Sequence, residues 1–73
     1  MNLESAPKHT NLKIISINNE KLLSDMLRFG IEIGEYIQIV NKLPDGPVVI
    51  QKNEQMIAVG QELARTISVE VIG

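Results

Sequence analysis

The sequence predicts a mostly β protein: a small, partly open barrel of about five strands, with one helix of two to three turns and one short helix. Three observations point there. Of the 24 aliphatic residues (11 Ile, 7 Leu and 6 Val), 17 are β-branched, a bias that suits a pleated, half-buried surface better than a helix. Short apolar runs are separated by clusters of Asn, Asp, Gly and Pro, the residues of tight turns. At 73 residues the chain is one domain. A domain of this size buries only about 60% of its unfolded surface, so nearly every large apolar residue is needed inside and little is left to build a catalytic cavity.

Residues 1–11 are polar and carry Pro7; they are expected to form a flexible tail or a short lead-in, with the folded domain over residues 12–73. Residues 12–17 (LKIISI) read as the first strand. Asn18 and Asn19 are placed to cap a helix, because an Asn side-chain oxygen accepts a backbone N–H of the first turn. Glu20 sits where the helix dipole favours an acid. Leu22, Leu23, Met26, Leu27 and Phe29 then recur at helical spacing, and Gly30 stands where a left-handed residue ends a helix. At about 100° per residue these five side chains span roughly 160°, wider than the ~100° stripe that one core face uses. One edge of the helix is therefore expected to stay exposed and apolar. Leu27 and Phe29, flanking the turn into Gly30, are assigned to the core, and Leu23 and Met26 to the exposed edge.

Gly34 marks the turn into residues 35–42 (EYIQIVNK), a strand with Ile37 and Ile39 on one face. Leu43, Pro44, Asp45, Gly46 and Pro47 form a hairpin loop that returns through residues 48–52 (VVIQK). Asn53 and Glu54 reverse the chain into a strand over residues 55–59. Gly60 begins a one-turn helix over residues 61–65, with Leu63 and Ala64 facing inward. Residues 67–71 (ISVEV) alternate strictly and place Ile67, Val69 and Val71 on the core. The order is β-α-β-β-β-α-β, with connections short enough to wrap one core.

Composition excludes several classes of function. Seven basic and nine acidic residues give a net charge of −2 without any run of like charge, and the pI is near 5.2. Nucleic-acid binding driven by counterion release is not expected, and neither a basic stripe nor stacking aromatics are present. The absence of cysteine removes disulfides, thiolate metal sites and a cysteine nucleophile. No window supplies the ~20 apolar residues of a membrane helix, so no direct membrane insertion is expected. The N-terminus lacks the basic and apolar regions of a signal peptide, which makes the cytoplasm the expected location.

No constellation of chemical residues emerges. His9 is the only histidine, and with Glu4 nearby it falls short of the three or four ligands of a metal site. Asp25, Glu32, Glu35, Asp45, Glu54, Glu62 and Glu70 are scattered through turns and exposed positions, with no His or Cys beside them. In Asn41-Lys42-Leu43-Pro44-Asp45 the aspartate falls one position late for a guanine-reading N-K-x-D, and no phosphate-binding glycine loop exists. Tyr36 and Phe29, the only aromatics, are too few to wall a polyproline groove. No catalytic residue, cofactor site or metal site is expected.

The ordered set of motifs over residues 12–71 resembles the FeoA family of ferrous iron transport proteins. The resemblance runs through Met26-Leu27-Arg28-Phe29-Gly30-Ile31-Glu32-Ile33-Gly34, the aliphatic strand with Ile37, Ile39 and Val40, and the hairpin Pro44, Asp45, Gly46 and Pro47. Ile50, then Ile57, Ala58 and Val59, then Ala64, and finally Ile67 and Val69 complete it. Two departures stand out: Ile33 replaces the family's usual proline, and the hairpin is about one residue short. Gly30, Gly34, Pro44, Gly46 and Pro47 are structural turn residues in this reading.

The resemblance implies an SH3-like barrel and a non-enzymatic accessory protein of bacterial ferrous iron uptake. Such a protein would dock on the cytoplasmic GTP-binding part of a FeoB-type membrane transporter. The family also carries the general term transition metal ion binding, though no ligand set in this chain supports it. An alternative is a stand-alone SH3-like interaction or regulatory module, related to the C-terminal domain of metal-dependent repressors. A repressor would need a DNA-binding domain, for which 73 residues are expected to leave no room. Leu23 and Met26 on the helix, with Leu43 and Pro44 at the hairpin tip, are the candidate partner-binding residues. Weak self-association through unpaired strand edges, chiefly that of residues 67–71, is also expected.

Overall fold

The computed structural model describes all 73 residues. The elements are β1 (Asn11–Ile17), α1 (Glu20–Arg28), β2 (Tyr36–Lys42), β3 (Val48–Lys52), β4 (Gln55–Val59), α2 (Gln61–Ala64) and β5 (Ile67–Val71). This is the expected order. The strands form one antiparallel sheet in the order β4-β3-β2-β1-β5. Register shifts fall between Ile14 and Ser16 on β1 and between Ile39 and Asn41 on β2. Each such irregularity bends its strand and adds local twist, and together they roll the sheet. The extents of 25 × 24 × 23 Å show that the sheet is rolled and not flat. No helix is long and apolar enough to cross a membrane.

Alternation decides which side chains line the inside of the roll. Leu12 and Ile14 on β1, Ile37 and Ile39 on β2, Val48 and Ile50 on β3, and Ile67 and Val69 on β5 are all buried. No polar or charged residue is buried with them, so the interior is held by apolar packing alone. Val71 departs from the expected pattern and is exposed. It ends the last strand, where no later element covers it. Leu63 is exposed as well, because a single helical turn directs few side chains inward and Ala64 occupies that place.

The N-terminal residues are a lead-in and not a loose tail. Leu3 and Ala6 are fully buried. The Leu3 N–H donates to the Ile67 carbonyl at 2.9 Å, and the Val69 N–H donates to the Met1 carbonyl at 2.8 Å. Asn2 forms an isolated bridge with Ser68, so residues 1–3 run along the outer edge of β5. Farther on, the His9 N–H reaches the Ile39 carbonyl at 2.9 Å. Two apolar residues among polar ones carry too weak a local pattern to announce this; the pairing partner lies at the other end of the chain.

Helix α1 starts as expected, with Asn19 Oδ1 accepting from the Leu22 N–H at 2.9 Å. Its end explains a reversal of the sequence assignment. Gly30 has φ 75°, its N–H donates to the Leu27 carbonyl at 3.0 Å, and the Ile31 N–H donates to the Met26 carbonyl at 3.0 Å. These paired bonds are those of a Schellman motif, which brings the residue after the glycine over the last turn of the helix. Ile31 and Met26 are accordingly both buried in the core. Met26, at 2% exposure, is a core residue, whereas Leu27 at 47% and Phe29 at 49% are exposed. Phe29 lies at the cap, past the last turn covered by the sheet.

Candidate functional site

An apolar groove of about 190 Å³ lies between α1 and the β4–α2 segment. Leu22 and Met26 contribute from the buried face of α1, and Phe29 from its cap. Ile57, Ala58 and Val59 form the wall along β4, and Gly60 and Leu63 complete it where the chain turns into α2. Leu22, Met26 and Val59 are buried, while Phe29, Ala58 and Leu63 are exposed. Asp25 is the one charged residue in the lining, and it faces Arg28 at 3.9 Å on the open surface of the helix. A pair so exposed adds little electrostatic character.

The loop beside this groove is tied down by Lys52. Its Nζ donates to the Gly30 carbonyl at 2.7 Å and lies 3.3 Å from Glu35 Oε2. One lysine from β3 thus holds both the end of α1 and the approach to β2. At the hairpin tip Asp45 takes φ 54°, and Gly46 is required for a different reason. A Cβ there would lie 2.9 Å from the Leu43 Cβ, so the glycine permits a close approach of the loop to itself.

A second, shallower depression of about 310 Å³ is lined by Asn11, Tyr36, Ile37, Gln38, Gln51 and Asn53. Its amides largely satisfy one another and the backbone, with Gln38 Nε2 donating to Asn11 Oδ1 at 2.7 Å and Gln51 Nε2 to the Asn53 carbonyl at 2.8 Å. Nowhere do three His, Asp or Glu side chains converge in a way that could hold a metal ion. His9 is exposed, and Glu4, its neighbour in sequence, bonds Arg65 Nε at 2.7 Å.

The sequence candidates are not gathered into one place. Met26 is buried in the groove floor, and Leu23 is half-buried, packed against the core outside the groove lining. Leu43 and Pro44 are exposed at the hairpin tip. Phe29, Ile57 and Leu63 were not anticipated as a group. The arc count did foresee an exposed apolar edge on the helix, but it treated Phe29 as helical and so could not see that the cap lifts it to the rim.

A family model described as FeoA domain matches residues 1–71. The chain belongs to the FeoA family. Among solved structures, iron(II) transport protein A from Clostridium thermocellum superposes with a TM-score of 0.87 at 27% identity, covering 100% of this chain. The chain spans 46% of that protein's length. Stenotrophomonas maltophilia FeoA complexed with zinc, described as a procaryotic SH3 domain protein, matches with a TM-score of 0.78 at 24% identity over 96% of this chain and 89% of its own. ScaR with bound Zn²⁺ matches at 0.87 and 24% identity, over 99% of this chain and 37% of ScaR. No curated protein matches in sequence. This FeoA chain therefore has the SH3-like fold that its motif order implied.

Proposed function

We propose that this FeoA protein is a non-enzymatic accessory of ferrous iron uptake that acts in the cytoplasm by docking on the GTP-binding part of a FeoB-type transporter. Family membership supports the iron-uptake setting, and the S. maltophilia relative is itself described as possibly acting as a ferrous iron transport activating factor. The observation that carries the docking reading is the groove between α1 and β4, with Phe29 and Leu63 on its rim. Apolar surface that a small domain leaves uncovered beside a concave floor is the usual mark of a protein-binding site. Leu43 and Pro44 at the hairpin tip are proposed as a second contact. Docking there would bias the transporter's assembly or its nucleotide cycle.

The test is a titration of the purified cytoplasmic domain of the transporter with wild-type protein and Phe29→Glu, alongside thermal melting of both. Phe29 caps the helix from an exposed position, so the variant is expected to melt near the wild type. Its affinity should fall tenfold or more, about 1.4 kcal/mol. Unaltered affinity in the folded variant would overturn the reading. The regulatory-module alternative is favoured by the similarity to segments of ScaR and of the manganese regulator SloR. It predicts that a pull-down from native membranes recovers a different partner and no transporter.

A further inference from the structure

The two outer strands of the sheet, β5 and β4, differ in what meets their free sides. The outer side of β5 is met by residues 1–3 through the Leu3 and Val69 hydrogen bonds. The outer side of β4, which borders the groove below α1, carries no such bond: no backbone hydrogen bond outside the ladders involves residues 53–59. The two-residue turn at Asn53 and Glu54 joins Lys52 to Gln55, its first and last residues, as a ladder pair. A turn of this kind closes with a hydrogen bond between those residues. Alternation along an antiparallel pair then directs the groups of Gln55, Ile57 and Val59 toward β3 and those of Met56 and Ala58 toward the open side. That strand, Gln-Met-Ile-Ala-Val, holds no charge and no proline, the devices that blunt an edge.

We propose that β4 pairs antiparallel with β4 of a second copy of this chain, about a two-fold axis at Ile57. The reason to commit to a second copy is that the strand is complementary to itself in this register. Met56 falls opposite Ala58 of the other copy, twice, so the outward N–H and C=O groups of both residues are satisfied in both chains. The side chains agree as well: Met56, 61% exposed, lies over a small Ala58. Glu54 falls opposite Gly60 of the other copy, so no like charges meet, although the chain carries a net charge of −2. A five-residue strand pair is smaller than a stable interface, and the dimer is therefore weak and concentration-dependent. This inference does not rest on the transporter reading.

Analytical ultracentrifugation of the wild-type chain should show a monomer at micromolar concentration and a monomer–dimer equilibrium near the millimolar range. Amide hydrogen exchange should slow with concentration at Met56 and Ala58, while Ile57 and Val59, already bonded to β3, stay unchanged. Met56→Lys keeps an exposed position exposed and places two lysines across the new pair; it should weaken the dimer tenfold or more with unchanged melting. A chain that stays monomeric at about 1 mM would overturn the proposal. So would a dimer whose protected amides lie elsewhere, or one that Met56→Lys leaves intact. Protection of Met56 and Ala58 only when an unrelated extended peptide is added would assign the edge to another partner and overturn it equally.

Discussion

The β5 side and the β4 side of this small barrel meet the same physical demand in opposite ways. At β5 the chain folds its own first residues back, burying Leu3 and Ala6 and bonding residues 1–3 to residues 67–69. At β4 it leaves a bare edge beside a groove rimmed by Phe29 and Leu63. The contrast teaches that a domain this short can close its core completely and still keep one side unsealed. Closing the β5 side uses apolar residues that the sequence had to spare at its start. On the β4 side, the Schellman motif that ends helix α1 buries Ile31 with Met26 and leaves Phe29 outside.

The largest expected effect breaks the sealed side. Leu3→Ala removes a fully buried side chain from the lead-in and should lower stability by about 2–5 kcal/mol, read from denaturant unfolding. A loss under about 0.5 kcal/mol, the range of ordinary surface changes, would mean that the lead-in is not part of the core in solution. Next comes the turn that sets the open side. Gly30→Val should cost about 1–3 kcal/mol through backbone strain alone, because φ is 75° and a Cβ would meet nothing within 4 Å. Gly30→Asn should recover part of that loss, since asparagine tolerates the left-handed region. Equal costs for the two variants would show that space and not φ is limiting. The smallest effect belongs to the Glu4–Arg65 pair, which is partly exposed: Arg65→Met should change stability by less than about 1 kcal/mol. A larger loss would make that pair, and not Leu3, the main fastening of the lead-in.

How much of this was legible in the sequence follows the range of the forces involved. Strand alternation, the Asn19 cap, the Gly30 terminus and both hairpins are local, and each was readable from a few neighbouring residues. The burial of Leu3 was not, because its partner Ile67 lies at the far end of the chain. The fates of Met26 and Phe29 were exchanged for a related reason. Periodicity gives the width of an apolar arc, but the packing of Ile31 on the last turn decides which part of the arc faces inward. The groove was hidden in the same way, since it joins α1 to β4 and α2 across more than two dozen residues of chain.

In the proposed mode of action, the unsealed side, between α1 and β4, receives the transporter. Backbone and methyl chemical-shift mapping tests it most directly, with isotope-labelled protein titrated by the unlabelled cytoplasmic domain of a FeoB-type transporter. The largest changes should fall on Phe29, Ile57, Ala58 and Leu63, with residues 1–3 and β5 little altered. Changes concentrated on residues 1–3 and β5, with the groove unmoved, would contradict it.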